Sequence, residues 1–403
     1  MIHNFAGSWT SSEEKVAMFF ARHNMKTASK YTFTFFHLPS RTRTKLKNLK
    51  GIARFKTKRI YYKYYKSKKR LLPLREKIDK LESNTYIAVH HPKWLGVTVA
   101  TKELFKNTLE LKELSDPSEA STIAKLLCSK KPTTIYFSAL AEGWIEVIKE
   151  IKKINNNIII KVIWHGSNAL LSEPYDFKVF YELLQAQKDN IVNQIAFVKK
   201  SMYEYYKQKG FNAYFLMNTI NLKHKNELHS SKTKPNPSQP IKIGLYSSGN
   251  RWVKNAYNQL AAISLFPNYE TDIVPKSEEI EQYANLLNIN ITGVSRHLPR
   301  ESLLKRLELN DLNIYVTFTE CAPLLPLESF ELGIPCITGN NHHYWENTEL
   351  EKYLIVDKTD NIIEINKKIN YCLENKEKIM ELYTNWKKEY DAQVKENNKN
   401  FFE

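Results

Sequence analysis

Two long stretches of the chain alternate short runs of β-branched and aromatic residues with segments of helical periodicity. This alternation is typical of parallel strands joined by crossover helices, which fold as α/β layers. Between the two stretches lies segment 223–240, KHKNELHSSKTKPNPSQP, which contains three prolines, three serines and few apolar residues. The sequence therefore predicts two α/β domains joined by a linker.

The predicted strands follow the apolar runs on each side of the linker. In the first half they are 86–90, 109–114, 134–138, 158–164, 194–198 and 213–217. In the second half they are 242–246, 270–274, 289–293, 312–317, 336–338 and 353–356. Helices are expected between most strands, including 255–264, 277–287, 302–307, 327–332 and a last helix from about 376 to 397.

The sequence predicts two Rossmann-like domains, at 83–222 and 241–403, joined by the linker at 223–240. An N-terminal extension with a basic helix, 1–82, precedes them. The last helix of the second domain can pack back on the first domain. We prefer an extension because 86–104 already supplies a strand, a turn and a helix. The alternative is that 1–82 begins the first domain, with Gly7 in its first loop and 13–22 in its first helix.

The composition of the chain excludes several classes of protein. Of the 403 residues, 42% are apolar, which is enough for two cores and excludes a disordered chain. No run approaches the roughly 18 apolar residues of a membrane span, and the N-terminus lacks the pattern of a secretory signal. The cysteines are widely scattered at Cys128, Cys321, Cys336 and Cys372. We therefore expect a reduced, cytoplasmic protein without structural zinc or disulfides.

Segment 41–70, RTRTKLKNLKGIARFKTKRIYYKYYKSKKR, contains fourteen Lys and Arg residues and no acid, whereas the rest of the chain is nearly neutral. Leu46, Leu49, Ile52 and Phe55 form an apolar stripe among these cations. Such a helix can lie on an anionic membrane, here the inner face of the plasma membrane. Alternatives are contact with a polyanionic acceptor and packing of its tyrosines on its own protein; nucleic acid is the least favoured partner.

Segment 312–340, LNIYVTFTECAPLLPLESFELGIPCITGN, has the pattern of a strand, a loop with Glu320, a helix with Glu328, and a second strand after Gly333. At such a junction the first helical amides point into the crevice at the carboxyl edge of the sheet, where a phosphate group is a natural ligand. The spacing of the two glutamates is a weak signal alone, and two solvated carboxylates, the first capping the helix, would give the same pattern.

In this context the segment resembles the Glu-x7-Glu motif of retaining glycosyltransferases of the GT-B fold, the family four group that includes bacterial glycogen synthases and many mannosyl- and glucosyltransferases. The resemblance implies two Rossmann-like α/β domains that face each other across a cleft. It implies that Glu320 lies near the donor sugar and its phosphates, and that Glu328 binds the ribose. The backbone that would receive the distal phosphate is that of Ala322, Pro323, Leu324 and Leu325. The family usually has Gly-Phe-Gly after the first acid, where this chain has Cys321-Ala322-Pro323.

The loop after the first strand of the second domain supplies matching cations. It contains Gly249 and Asn250, followed by Arg251 and Lys254. In the resembled family such cations clamp the donor pyrophosphate, so they would neutralise the leaving diphosphate without a metal. The two cations are closer in sequence than is usual in the family, and a surface pair without a ligand is the alternative.

Further candidate residues flank the predicted cleft. His165 ends a first-domain strand as KVIWHG, and the resemblance implies that it faces the donor sugar; a structural, hydrogen-bonded histidine is the alternative. Candidates for the acceptor side are His90, His91, Trp94 and Gly96. Candidates for the nucleotide pocket are Arg296, His297 and Arg300, with surface charge as the alternative.

Several other chemistries have no motif in this sequence. It lacks Asp-x-Asp, a P-loop, Gly-x-Ser-x-Gly, His-Glu-x2-His and Cys-x2-Cys. The pair His342-His343 predicts a surface turn, because adjacent side chains point in different directions and do not make a metal site. We expect neither a metal nor a cofactor.

The resemblance implies transfer of a hexose, with retention, from a nucleotide diphosphate sugar such as a UDP-sugar. Together with the basic segment 41–70, it leads us to expect a peripheral membrane enzyme that acts on a glycan, lipid-linked or protein-linked acceptor in bacterial surface glycan or glycoconjugate synthesis. In this family the acceptor attacks from the face that the leaving group vacates, and the donor phosphate takes the proton. The main alternative is a non-catalytic glycosyltransferase-like subunit that supports a partner enzyme. A third hypothesis is nucleic-acid binding through segment 41–70.

Overall fold

The computed structural model describes residues 67–222, 240–246, 251–266 and 268–403. The chain divides into two units, Met1–Arg70 and Leu71–Glu403. Several predictions concern residues outside the described ranges. They are most of the N-terminal extension, the alternative in which it begins the first domain, most of segment 41–70, nearly all of the linker, and the loop residues Gly249 and Asn250. The last residues of segment 41–70 begin helix α1, Ser67–Asp79.

The first half forms a parallel sheet, with its described strands in the order β2-β1-β3-β4-β5-β6. The strands are β1 Tyr86–His90, β2 Thr108–Glu110, β3 Thr134–Ser138, β4 Ile159–Trp164, β5 Gln194–Phe197 and β6 Ala213–Phe215. The helices are α2 Leu95–Leu104, α3 Glu119–Ser129, α4 Trp144–Ile154, α5 Pro174–Lys188 and α6 Lys200–Gln208, with a 3₁₀ turn at Asn168–Ser172. The central strands are buried on both faces, which is why they read as nearly continuous apolar runs.

The second half forms a parallel sheet in the order β12-β11-β10-β7-β8-β9. Its strands are β7 Ile241–Leu245, β8 Tyr269–Ile273, β9 Asn290–Gly293, β10 Leu312–Tyr315, β11 Cys336–Gly339 and β12 Ile355–Val356. Its helices are α7 Ala256–Ile263, α8 Glu278–Leu286, α9 Arg300–Glu308, α10 Leu324–Glu331, α11 Glu349–Leu354, α12 Ile362–Glu374 and α13 Lys376–Phe402, with a 3₁₀ turn at Trp252–Lys254. None of the helices in the described part of the chain is long and apolar enough to cross a bilayer.

The strand order reverses between β1 and β3 in the first sheet and between β7 and β10 in the second. Open α/β sheets bind ligands beyond the carboxyl ends of their strands at such switch points. In the second sheet, the loop after β7 carries Arg251 and Lys254, and the loop after β10 carries Glu320. The topology therefore brings together two segments that are separate in sequence.

The predicted strands are confirmed in number and order for the described residues, and each helix named from the sequence is present. In the second half, helices α11 and α12 are not among those named from the sequence, and the other differences are at the ends of the elements. Strand β2 ends at Glu110, short of the predicted residue 114, because the chain then leaves the sheet and the Leu114 amide donates to the Glu142 carbonyl. Strand β12 is reduced to Ile355–Val356 because the two residues before it complete α11. Gly333 has a positive φ of 78° directly after α10, as expected of a glycine that ends a helix.

Helix α13 contacts both halves of the chain. Its Tyr383 stacks on Phe330 of the second half, and its Phe401 packs against Tyr136 of β3. The ammonium of Lys161, which interrupts the apolar run of β4, is 2% exposed and donates to the Phe401 carbonyl. The far end of the chain therefore completes the core of the first half.

The predicted surface turn at His342-His343 is wrong. His342 is buried beside Trp345, and His343 stacks on Tyr390 of α13. Burial lowers the pKa of each histidine to about 3, so both are neutral. Tertiary packing of α13 against this loop, which local sequence does not reveal, explains the difference.

Candidate functional site

Lys254, Tyr315 and Glu320 form a hydrogen-bonded cluster at the switch point of the second sheet. The Lys254 ammonium donates to the Glu320 carboxylate and, over 2.7 Å, to the Tyr315 hydroxyl. The Tyr315 hydroxyl in turn donates to the same carboxylate oxygen over 2.8 Å. Lys254 is at the end of the 3₁₀ turn after β7 and Tyr315 is the last residue of β10, so the pairing of these strands sets the geometry.

The cluster fixes the charge of its lysine. Burial alone would lower the pKa of Lys254, but its contacts with Tyr315 and Glu320 raise it overall. Burial and the neighbouring Glu320 raise the pKa of Tyr315, so the phenol stays protonated. The site therefore holds a buried ammonium that stays protonated at neutral pH and is paired with the Glu320 carboxylate.

Three residues of the first half make hydrogen bonds that hold the loop around Glu320. The Lys199 ammonium donates to the backbone carbonyls of Glu320 and Asn341, both over 2.7 Å. Thr319 donates to the Ser167 hydroxyl over 2.9 Å, and Asn218 donates to the Ala322 carbonyl over 3.1 Å. The position of Glu320 thus depends on both halves of the chain.

Glu328 lies inside α10 and is 5% exposed. Its carboxylate accepts a 3.0 Å bond from Arg300, which also contacts Glu103 of α2 over 3.4 Å. Burial raises the pKa of Glu328, and the charge of Arg300 partly offsets that rise. The Arg300 candidate is therefore beside the second acid of the motif.

The N-terminus of α10 faces the same region. Its N-cap residue is Pro323, and no side chain caps the helix. Ala322 and Leu324 are buried and Leu325 is half-buried. The first amides of the helix are therefore left for a partner other than a capping side chain, as at helix termini that bind phosphate.

Arg251 is exposed and is not a member of the Lys254 cluster. Burial raises the pKa of Asp176 on α5, and the positive charge of Arg251 opposes that rise. The exposed ring of Trp252 lies 6.2 Å from that of Phe318, two residues before Glu320. The structure thus brings Arg251 to the rim of the site and Lys254 into it.

His165 follows β4, and its Nε2 is 3.0 Å from the Ser138 hydroxyl, which also accepts from Thr101. Burial lowers the pKa of His165 to about 4, so the imidazole is neutral at pH 7. His165 is two residues from Ser167, which contacts the residue before Glu320. The chain segment that follows His165 therefore contacts the Glu320 loop.

The acceptor-side candidates lie at the end of β1 and just after it, and they form a separate group. His91 is buried, hydrogen-bonds Glu113 over 2.6 Å and packs on Trp94 with 4.5 Å between ring centroids. His90 bonds Thr98 over 3.2 Å, and Gly96 is exposed with open space where a Cβ would lie. These contacts hold the group in place beside the carboxyl end of β1.

Of the remaining candidates, Arg296 and His297 are exposed in the loop before α9. Sequence reasoning missed Tyr315, Lys199 and Ser167. A tyrosine at the end of a buried strand is the one signal that could have been noticed, because the two others belong to no motif. Among the described residues, no group of three or more His, Cys, Asp or Glu side chains is arranged to hold a metal ion.

No protein-family model matches the sequence, and no curated protein sequence matches it. Solved structures match in fold. A sucrose-phosphate synthase from Thermosynechococcus elongatus has a TM-score of 0.55 and 11% identity, and the match covers 77% of this chain and 94% of that one. A UDP-forming trehalose-phosphate synthase from Burkholderia xenovorans, in complex with glucose-6-phosphate, has a TM-score of 0.55 and 11% identity, covering 79% and 99%.

A trehalose-6-phosphate synthase from Burkholderia multivorans has a TM-score of 0.53 and 10% identity, with 78% of this chain and 99% of that one covered. The match extends over nearly the whole length of all three proteins, and at this identity it establishes the fold alone. The expected fold class is confirmed: this chain has the GT-B fold of glycosyltransferases, with two Rossmann-like parallel-sheet domains.

Proposed function

We propose that this chain is a retaining glycosyltransferase that moves a hexose from a nucleotide diphosphate sugar to a hydroxyl acceptor. The observation that carries the proposal is the buried Lys254–Glu320 pair, at the switch point of the second sheet and near the N-terminus of α10. The structural neighbours support it, since they are sucrose-phosphate and UDP-forming trehalose-phosphate synthases. UDP is accordingly the first nucleotide to test.

The donor would lie along the carboxyl edge of the second sheet. Lys254 and the first amides of α10 would bind the diphosphate, and Arg251 at the rim would add a second positive charge. Glu328, held by Arg300, would accept hydrogen bonds from the ribose. Arg296 would line the nucleotide pocket, and Gly249 and Asn250 would contact the phosphates.

The chemistry would consist of positioning and electrostatic stabilisation. As the bond between the anomeric carbon and the phosphate oxygen breaks, Lys254 would neutralise the charge that grows on the leaving diphosphate. Glu320 and the neutral His165 would hold sugar hydroxyls. The acceptor hydroxyl would attack on the same face and give its proton to the departing phosphate, so the site needs no protein nucleophile.

The acceptor would bind on the side of the first domain, near His91, Trp94 and Gly96. The proposed acceptors are a glycan, a lipid-linked sugar or a protein-linked sugar, with a role in bacterial surface glycan or glycoconjugate synthesis at the cytoplasmic face of the membrane. Because one structural neighbour is in complex with glucose-6-phosphate, a sugar phosphate belongs in the same acceptor panel.

The test is calorimetric titration of the full chain with UDP, GDP, ADP and CMP, without added metal. We expect one nucleotide, first of all UDP, to bind. Lys254→Met and Arg251→Ala should weaken that binding at least about tenfold, which corresponds to about 1.4 kcal/mol. Lys242→Ala is the matched control, because Lys242 is an exposed lysine of the same domain whose ammonium pairs with Glu270 over 3.9 Å.

Each outcome has a separate meaning. No binding of any nucleotide by the folded protein would reject the proposed donor site. Nucleotide binding that is equally strong in all three variants would place the nucleotide elsewhere. Binding with the expected losses, but no transfer from any sugar nucleotide to the acceptor panel, would favour the non-catalytic subunit.

A further inference from the structure

Lys254 and Glu320 neutralise each other in the structure. The Lys254 ammonium donates to the Glu320 carboxylate, and the two side chains are 10% and 17% exposed. A diphosphate that binds here meets an ammonium whose charge is already matched, so it has to draw Lys254 away from the carboxylate. The carboxylate then lies beside a second anion in a mostly buried place, which is unfavourable unless another donor holds it.

The Tyr315 hydroxyl is placed to be that donor. It donates to Oε1 of Glu320 over 2.8 Å and accepts from Lys254 over 2.7 Å. Burial and the charge of Glu320 raise the pKa of the phenol, so the hydroxyl keeps its proton. Tyr315 is the last residue of β10 and pairs with Thr338 of β11, so the sheet fixes its position independently of the lysine. The bond from Tyr315 to Glu320 can therefore remain when Lys254 turns to another anion.

The other cation at this loop does not bind the carboxylate. Lys199 donates to two backbone carbonyls, those of Glu320 and Asn341. Among the described residues, the hydrogen bonds to the Glu320 carboxylate come from Lys254 and Tyr315, and both go to Oε1. Once Lys254 has turned away, Tyr315 is therefore the group in the described part of the chain that still holds this carboxylate.

The same domain contains a second cluster of a tyrosine, an acid and a cation. The buried Tyr246 donates to Asp272 over 2.6 Å, and Arg306 donates to the same carboxylate over 3.0 Å. Asp272 lies within β8 and Arg306 within α9, so this reference cluster is separate from the loops that carry Lys254 and Glu320. Removing the hydroxyl of Tyr246 therefore measures the structural cost of losing such a bond, without an effect on the candidate site.

We propose that Tyr315 is a positioning residue that holds the Glu320 carboxylate when a nucleotide diphosphate draws Lys254 away from it. The inference rests on the proposed function, in which the diphosphate binds at Lys254. The Lys254–Glu320 pair then opposes nucleotide binding, and the Tyr315 hydroxyl reduces that opposition. Removing the carboxylate and removing the hydroxyl should therefore have opposite effects on nucleotide affinity, and the hydroxyl should have no effect where the carboxylate is absent.

The test is a double-mutant cycle on the full chain, measured by calorimetric titration with UDP, GDP and ADP without added metal. We expect Glu320→Gln to bind the nucleotide about tenfold more tightly than the unmodified protein does, and Tyr315→Phe about tenfold more weakly. The double variant should match Glu320→Gln within about twofold, because no carboxylate remains to be held. Tyr246→Phe, from the reference cluster, is the matched control and should leave nucleotide affinity unchanged.

Circular dichroism checks that each variant folds, and if Tyr315→Phe does not, affinity in Glu320→Gln that is unchanged or weaker would overturn the inference. Equal affinity in Tyr315→Phe and the unmodified protein would also overturn it, while a loss in Lys254→Met would leave the proposed function standing. So would a loss in Tyr315→Phe that persists in the double variant, because the hydroxyl would then act without the carboxylate.

The proposed function fails in a different way. Absence of nucleotide binding in both the unmodified protein and Glu320→Gln would reject the donor site and this inference together. Binding that appears only in Glu320→Gln would support the inference, because it would show that the carboxylate opposes the nucleotide, and would count against a donor site that works in the unmodified protein.

Discussion

Single histidines control how stability changes with pH. Burial lowers the pKa of His165 to about 4 and the pKa values of His342 and His343 to about 3. In the unfolded chain each titrates near 6.5. Below that pH the unfolded state binds more protons, so the free energy of unfolding falls as pH drops, by at most about 1.4 kcal/mol per pH unit for each histidine.

We expect urea unfolding to show that the free energy of unfolding falls between pH 6.5 and pH 5. This pH range is above the one in which most carboxylates titrate. His342→Asn should reduce the change in the free energy of unfolding per pH unit by the contribution of one histidine, at most about 1.4 kcal/mol per pH unit. The same substitution should lower stability at pH 7.5. His297→Asn is the control, because His297 is exposed and should leave the slope unchanged. Equal slopes in the protein and in His342→Asn would contradict the assignment.

At the scale of elements, the start of α6 acts as a support for the Glu320 loop. Lys199 immediately precedes the helix and bonds two backbone carbonyls of the second half, whereas its neighbour Lys200 makes an exposed ion pair with Glu346. Hydrogen bonds from a charged donor contribute about 1.5–3 kcal/mol, whereas exposed ion pairs contribute about 0–1 kcal/mol. The two adjacent lysines therefore form a matched pair of test positions.

We expect Lys199→Met to lower the free energy of unfolding by about 2 kcal/mol, and Lys200→Met by less than about 1 kcal/mol. Urea titration at pH 7.5 measures both. Because Lys199 holds the backbone of Glu320, its substitution should also weaken nucleotide binding, and Lys200→Met should not. Similar effects of the two substitutions on both quantities would show that Lys199 gives the loop no special support.

The strands and the position of Glu320 could be predicted from the sequence, whereas the contacts between distant elements could not. The strands could be predicted because parallel strands buried on both faces are nearly continuous apolar runs, as in β4 apart from Lys161. The position of Glu320 could be predicted because a strand, a loop and a helix follow one another in the sequence. The contact of Lys254 with Glu320 joins residues 66 positions apart, and it depends on the register that pairs Leu312 with Ile243. No local pattern contains that register. The role of Lys199 could not be predicted either, because no local pattern distinguishes it from the other lysines of the chain.

At the scale of the whole molecule, the positive charge is concentrated in segment 41–70. If this segment binds membranes, the full chain should sediment with vesicles that contain about 30% phosphatidylserine but not with phosphatidylcholine vesicles, and salt should release it. Changing Lys45, Lys47 and Lys50 to Gln should weaken binding by about two orders of magnitude, at about 1 kcal/mol per lysine.

The control changes three exposed lysines of α13 to Gln, which are Lys388, Lys395 and Lys399, and so removes the same charge. Equal losses in the two triple variants would mean that net charge alone drives binding. Binding to neutral vesicles, or to DNA in preference to anionic vesicles, would contradict the membrane assignment.

The contact between Lys161 and the Phe401 carbonyl has a consequence for biosynthesis. It joins residues 240 positions apart, so β4 leaves the ribosome long before its partner has been made. During that interval the ammonium in the middle of the strand has no acceptor from α13, and the place of Phe401 against Tyr136 is empty. The first sheet therefore finishes packing only after the second has been translated, and a ribosome that stalls before residue 401 leaves the earlier half with an open core.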